Sequence, residues 1–167
     1  IAGVDYVVES GTLTFGPGDT TETVTVTVLN DAIFEDPEAF TVVVSNAQYA
    51  AGTGDEVDLT ITTDTGTGNI VDDDQPTVAI ADGAPNPQTE ADAATITFDV
   101  TLSNAADQDV TVDFTTVNGT AIAGVDYVVE SGTLTFGPGD TTETVTVTVL
   151  NDAIFEDPEA FTVVVSN

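Results

Sequence analysis

The sequence predicts an all-β protein built as an antiparallel sandwich. Apolar and polar residues alternate with period two over several segments, most clearly at 23–28, where every Val falls on one face and every Thr on the other. Val and Thr, which suit a half-buried pleated surface, dominate these segments. Turn sequences such as Gly16-Pro17-Gly18-Asp19 separate them, and no segment has a convincing 3.6-residue period.

Seven strands, A to G, are predicted for one complete unit. Read from the linker at 75–77, they are A (78–81), B (94–102), C (110–116), D (127–136), E (142–150) and F (160–166), with G only in the first half of the chain, at 57–62 with a tail to Val71. Strands D, E and F of the first half are predicted at 12–15, 23–28 and 39–45.

Residues 1–46 recur without change as residues 122–167, so Ile1 corresponds to Ile122 and the period is 121 residues. A repeat of this length is a whole domain and not one turn of a solenoid. We therefore expect residues 1–74 to be the C-terminal part, strands D to G, of one module. Residues 78–167 are then the N-terminal part, strands A to F, of the next identical module.

Neither module is complete in its natural order, because the first lacks strands A to C and the second lacks strand G. A sandwich without a strand leaves unpaired backbone and an uncovered core. We expect adjacent modules of the same chain or neighbouring subunits to supply the missing strands. The alternative within one chain is a permuted pairing, in which strands A to C complete the first module.

The composition excludes many kinds of function. The 167 residues include 30 Asp plus Glu but no Lys, Arg, His, Cys, Met or Trp, giving a formal charge of −30. Without basic residues there is no electrostatic footprint for nucleic acid. Nucleophilic triads, thiol sites and arginine clamps are excluded too, so we predict no enzyme and no small-molecule substrate. No run approaches the roughly 18–20 apolar residues of a membrane span.

Three acidic motifs carry a family resemblance. They are Gly124-Val125-Asp126-Tyr127, the run from Asn151-Asp152 to Glu159-Ala160-Phe161, and Gly68-Asn69-Ile70-Val71 followed by Asp72-Asp73-Asp74. In order and spacing the chain resembles a Calx-beta domain, and the resemblance covers nearly the whole period. It implies a seven-stranded immunoglobulin-like sandwich that binds Ca2+ in loops at one end.

The resemblance also implies which residues bind the metal. The candidate ligands are Asp5, Asp31, Glu35, Glu38, Asp72, Asp73, Asp74, Glu90, Asp126, Asp152, Glu156 and Glu159. Asn30 and Asn151 stand where the family often has Asp, and Ala32 and Ala153 replace a further acidic position. These departures imply fewer or more weakly held ions.

The chemistry of the residues independently favours calcium. Ca2+ takes six to eight oxygen ligands, and this chain offers carboxylate, amide and carbonyl oxygen almost exclusively. Each like-charged pair among Asp72–Asp74 costs on the order of 4 kcal/mol at about 4 Å and an effective dielectric of about 20, and no Lys or Arg relieves it. A divalent cation does so directly. Mg2+ fits less well because it demands near-octahedral geometry.

We expect a calcium-binding spacer module of a secreted or surface-anchored repeat protein, in which Ca2+ stiffens the joints between modules. The absence of Cys suits bacterial surface proteins stabilised by metal. Two alternatives remain: a subunit of an extracellular filament completed by strand exchange, and a regulatory calcium sensor.

Overall fold

The structure, a computed structural model, describes residues 1–51, 55–91, 94–154 and 157–167. These residues form twelve β-strands and no helix, hence no helix that could span a membrane. The strands are β1 (Ile33–Phe34), β2 (Glu38–Val43), β3 (Gln48–Ala51), β4 (Asp55–Asp58), β5 (Thr65–Ile70), β6 (Val78–Ile80), β7 (Thr95–Leu102), β8 (Ala105–Ala106), β9 (Val110–Asn118), β10 (Ser131–Phe136), β11 (Thr142–Thr148) and β12 (Phe161–Ser166).

The chain divides into two compact units. Unit 1 comprises residues 1–31 and 36–72, and unit 2 comprises residues 32–35 and 73–167. The short segment 32–35 belongs to unit 2 because β1 pairs in parallel with β8.

Unit 2 contains two three-stranded antiparallel sheets. One has the order β6-β7-β11 and the other β10-β9-β12. These strands correspond to A-B-E and D-C-F of the sequence analysis, with ends that agree within a few residues. The alternating side chains of β7, β10 and β11 are buried on one face, as the period-two pattern predicts. Among the described residues, the largest fully buried side chains are Tyr127, Phe136, Val100, Val145 and Val147.

Unit 1 has much less sheet, although residues 1–46 repeat the sequence of 122–167. Its sheets are two antiparallel pairs, β2 with β5 and β3 with β4. The strands predicted at 12–15 and 23–28 are wrong for this half of the chain, because both described segments lack a regular strand. The same sequences are strands in unit 2 because β9 and β7 pair with them there.

The prediction for strand G is also wrong in its position. The predicted strand at 57–62 overlaps β4, which forms a hairpin with β3. The strand that pairs with β2 is β5, placed by the sequence analysis in the tail of strand G. Alternation at Val57, Leu59 and Ile61 suggested a buried face, but Val57 and Leu59 are 53% and 54% exposed.

Candidate functional site

The acidic Gly-x-Asp-Tyr loop has the same backbone in both units. In unit 2, the amide nitrogens of Val125 and Asp126 donate to the carbonyl of Ile122, and Gly124 adopts a φ of 82°. The corresponding bonds recur at Ile1, Val4 and Asp5, with Gly3 also at 82°. Positive φ favours glycine, so the local sequence itself determines this conformation.

The aspartate of this loop closes it with its own side chain. Asp126 Oδ2 accepts a hydrogen bond of 2.7 Å from the backbone amide of Ile122. One carboxylate oxygen is therefore engaged in holding the loop.

Asn118 anchors the same loop in unit 2, a role that sequence reasoning missed. Its Oδ1 atom accepts hydrogen bonds from the Tyr127 hydroxyl at 2.5 Å and from the Ala123 amide at 3.0 Å. Thr120 Oγ1 accepts from the Ala160 amide at 2.9 Å, next to Glu159. The sequence analysis gave these residues no role, although an Asn shortly before a Gly-x-Asp-Tyr loop is a usable signal for a side-chain cap.

The loop is also tied to the end of predicted strand E. The Leu150 amide donates to the Asp126 carbonyl at 2.9 Å, and Leu29 donates to Asp5 at 2.8 Å. Asp152 and Asp31 follow those leucines by two residues, so each begins its acidic run beside the loop. These hydrogen bonds bring two of the predicted acidic segments to one end of each unit, without showing a contact to a ligand.

In unit 1 two of the predicted ligands come together at the nitrogen of Ile1. The Ile1 ammonium forms an ion pair with Asp5 and contacts Glu38 Oε2 at 3.0 Å. Asp5 is only 6% exposed, and its Oδ2 atom is the one paired with Ile1 N, just as Asp126 Oδ2 is hydrogen-bonded to the Ile122 amide in unit 2. Asp5 and Glu38 therefore meet at one atom, Ile1 N, although they lie far apart in the sequence.

The register of β2 and β5 extends this cluster towards the Asp triplet. Glu38 lies opposite Ile70 at one end of the ladder between β2 and β5. The half-buried Asp72 comes two residues after Ile70, at that same end. Asp5, Glu38 and Asp72 therefore share one end of unit 1.

The rest of the triplet has other surroundings. Asp73 is exposed in unit 2, and Asp74 accepts hydrogen bonds from Asn104 Nδ2, at 3.1 Å to its carbonyl and 3.2 Å to Oδ1. Asp74 thus fastens the linker to the turn after β7. The structure does not bring the three acids to one point.

The remaining predicted ligands are more dispersed. Asp152 Oδ1 accepts from the Ile154 amide at 2.6 Å, and Glu35 lies in unit 2 beside β1. Asp31, Glu90, Asp152 and Glu159 are exposed, and Glu156 lies outside the described residues. Within the part of the chain that the structure describes, no group of three or more His, Cys, Asp or Glu side chains is close enough to hold a metal ion.

Comparison with known families gives two matches to one family model. The Calx-beta domain model matches residues 1–74 and again residues 71–167. The chain belongs to the Calx-beta domain family. The two Calx-beta matches overlap at 71–74, the segment that contains the Asp72–Asp74 triplet.

Several relatives of this Calx-beta chain are sodium/calcium exchangers. Exchanger 2 of Homo sapiens is 30% identical over 169 residues, which cover 96% of the chain and 18% of that protein. Exchanger 1 of Rattus norvegicus is 48% identical over 56 residues, 34% of the chain and 6% of that protein. A crystal structure of the apo-form Calx CBD1 domain matches 44% of the chain and 65% of its own length, with 30% identity and a TM-score of 0.42.

The Calx-beta chain thus spans less than a fifth of the exchangers it matches. Its all-β architecture agrees with the expected class, while the seven-stranded module stays a prediction.

Proposed function

We propose that the chain is a calcium-binding, non-catalytic spacer module of a secreted or surface-anchored repeat protein. The observation that carries the proposal is that the carboxylates of Asp5 and Glu38 meet at one end of unit 1, beside the acidic loop, although they are distant in the sequence. Membership of the Calx-beta family supports a metal site at this same end of the unit.

Calcium suits this end of the unit on chemical grounds. Hard carboxylate oxygens at Asp5 and Glu38, with the half-buried Asp72 nearby, are the ligand type that Ca2+ prefers. The chain has no side-chain cation with which to neutralise them. A bound ion would relieve repulsion in a chain whose formal charge is −30.

A spacer role follows from the repeat. Identical stretches separated by a 121-residue period, with an acidic segment beside a short Gln75-Pro76 linker, suit modules joined end to end. Ca2+ at the acidic end would stiffen each joint. Placement outside the cell is part of the proposal, because extracellular calcium near the millimolar range fills even weak sites of this kind.

A regulatory calcium sensor is the second candidate. It is favoured by the relatives, which are named sodium/calcium exchangers. A sensor would bind calcium with the same acids but would transmit the change to another domain, whereas a spacer would change only its own stiffness.

Calcium binding is tested by thermal unfolding of the full chain, followed by circular dichroism in EDTA, Mg2+ or Ca2+. Ca2+ should raise the midpoint more than Mg2+ does at equal concentration, because binding to the folded state alone stabilises it. Glu38→Gln should weaken the apparent calcium affinity about tenfold, since affinity follows ligand charge. The matched control Glu22→Gln, at an exposed position outside the cluster, should behave like the parent.

A midpoint that is the same in EDTA and in Ca2+ would contradict the metal site. Equal effects of the Glu38 and Glu22 changes would show that calcium screens the surface charge in general. The spacer role is tested separately by small-angle scattering of a chain with several periods. Its maximum dimension should shrink in EDTA, and an unchanged dimension with intact calcium binding would favour the sensor.

A further inference from the structure

Ala160, the residue between Glu159 and β12, is held by both of its backbone polar groups. Its amide donates to Thr120 Oγ1 at 2.9 Å, and its carbonyl accepts a hydrogen bond of 3.0 Å from the Ala121 amide. Both partners belong to the short segment between β9 and the acidic loop of unit 2. The backbone just before β12 is therefore tied to that segment by two hydrogen bonds, one of which uses a side chain.

Gly119 allows the two segments to come this close. A Cβ atom at position 119 would collide with the Ala160 carbonyl oxygen. Glycine leaves room for that oxygen because it has no side chain. The glycine thus admits the carbonyl of Ala160, and the threonine that follows it receives the amide.

The same segment is bonded to the aspartate of the acidic loop. The Ile122 amide, next to Ala121, donates to Asp126 Oδ2 at 2.7 Å. The Ala123 amide donates to Asn118 Oδ1 at 3.0 Å. The amides of three consecutive residues, 121, 122 and 123, therefore bind the backbone before β12, the loop aspartate and the last residue of β9.

We infer that Thr120 is a positioning residue for the proposed calcium site: its hydroxyl fixes the backbone that carries Glu159 relative to the loop that carries Asp126. This role rests on the calcium binding proposed above, and it falls to a residue that is not one of the predicted ligands. Thr120 acts through the backbone of Ala160, one residue from Glu159, and not by contact with the ion.

The position of Glu159 depends on bonds of this kind because it lies outside the regular sheet. Residues 157–160 are exposed and precede the first residue of β12. An irregular exposed backbone loses conformational entropy when it is fixed in one geometry. A ligand whose backbone is fixed before the ion arrives binds more tightly, since less of that entropy is lost on binding. The Thr120 hydroxyl therefore raises calcium affinity by prior ordering and adds no ligand.

Two substitutions separate the hydroxyl of Thr120 from its shape. Valine has the branched shape of threonine without a hydroxyl, so Thr120→Val removes only the acceptor for the Ala160 amide. Serine keeps the hydroxyl but loses the methyl group that restricts χ1. Thr120 is exposed, so neither change leaves a cavity in the core.

Calcium titration of the full chain by calorimetry tests the role of Thr120. Glu38→Gln is present throughout, so that unit 2 gives the larger response. Thr120→Val should weaken calcium binding about threefold to tenfold, the fold-change that corresponds to one ordinary hydrogen bond. Thr120→Ser should retain most of the affinity.

The matched control is Thr144→Val. Thr144 is another exposed threonine of unit 2, and its hydroxyl donates one hydrogen bond of 3.2 Å to Asp99 within the β7–β11 ladder. Its loss should leave calcium affinity unchanged, because this ladder does not include the acidic loop.

Hydrogen–deuterium exchange in EDTA adds a readout that needs no bound metal. A peptide spanning residues 118–126 is unique, because residues 118–121 have no copy in the chain, and it contains the three bonded amides at 121–123. Thr120→Val should speed the exchange of this peptide and leave the peptide that covers β7 unchanged. Thr120→Ser and Thr144→Val should leave the 118–126 peptide close to the parent.

The outcomes distinguish the positioning role from the proposed function. Equal calcium affinity with and without Thr120→Val would overturn the positioning role and leave calcium binding intact. Equal losses in Thr120→Val and Thr144→Val would overturn it as well, because a general loss of stability would explain both. A loss in Thr120→Ser as large as that in Thr120→Val would show that the hydroxyl is not responsible. No calcium binding with or without Glu38→Gln would overturn the proposed function, and the positioning role with it.

Discussion

Phe136 is fully buried, whereas Phe15, its counterpart in an identical stretch of 46 residues, is 54% exposed. Phe136 lies opposite Val110 in the ladder between β10 and β9, and strands preceding it in the chain cover its ring. Phe15 has no such partners in unit 1. Because the local sequence is identical in the two copies, the burial of this side chain is decided by strands that are distant in the chain.

The Phe136→Ala variant should lower the free energy of unfolding of unit 2 by about 3–5 kcal/mol, the usual cost of emptying a phenylalanine site in a core. Phe15→Ala should change stability by less than about 0.5 kcal/mol, since an exposed ring leaves no cavity. Urea unfolding monitored by circular dichroism measures both. Similar losses for the two variants would show that unit 1 has a core like that of unit 2.

Hydrogen–deuterium exchange should reveal both copies in one spectrum. A peptide spanning Leu13–Val28 is chemically identical to one spanning Leu134–Val149, so a digest pools them. In the latter, the β10 and β11 amides lie in ladders and exchange slowly. We expect two equal mass populations, one exchanged early and one late.

The unique peptide that covers β7 serves as the control and should give a single, slow population. A single population for the pooled peptide as well would contradict the difference between the units.

The hydrogen bond between Tyr127 and Asn118 should show strong coupling in a double-mutant cycle. Asn118→Ala leaves a buried phenol without its acceptor, at a cost of about 1–3 kcal/mol. Tyr127→Phe removes the hydroxyl that needs that acceptor, so the double variant should be more stable than the sum of the single losses implies, by at least about 0.5 kcal/mol. Tyr6→Phe, in unit 1, is the matched single change and should have a smaller effect.

Chemical denaturation of the four proteins of the cycle supplies the numbers. Strict additivity of the two single changes would mean that the bond contributes nothing to the folded state.

The Gly119→Ala substitution should destabilise unit 2 by about 1–3 kcal/mol, because its Cβ would lie 2.3 Å from the Ala160 carbonyl oxygen. Gly11→Ala is the control, since a Cβ at that position meets nothing within 4 Å. The two thermal midpoints give the comparison. An unchanged midpoint for Gly119→Ala would show that the loop before predicted strand D can move away from β12.

Local sequence was enough to predict the turns but not all the strands. The Gly16–Asp19 turn forms in unit 1 with an Asp19-to-Gly16 backbone bond of 3.0 Å, and the Gly137–Asp140 turn forms in unit 2 with a bond of 2.9 Å. Strands need partners, so the alternation at 12–15 and 23–28 did not suffice. Dependence on a partner strand also explains why strand G was misplaced. The segment that pairs with β2 is rich in glycine and cannot be recognised as a strand from its own sequence.

The candidate site was predictable in composition and only partly in arrangement. The motif containing Asp5 and Asp126 does form a defined acidic loop, because its hydrogen bonds are local. The meeting of Asp5 with Glu38 depends on a contact between residues distant in the chain, and the role of Asn104 at Asp74 depends on the turn after β7. Sequence spacing contains neither of these distances.

The loop that holds Asp5 keeps its shape where most of the surrounding sheet is not built. The end of a module that carries the proposed ligands thus needs little from the rest of the chain to adopt its shape. For a polypeptide that emerges residue by residue, this end acquires its geometry while the strands are still waiting for their partners. In the proposed calcium-binding role, metal capture would precede closure of the sandwich and provide an early nucleus of folding.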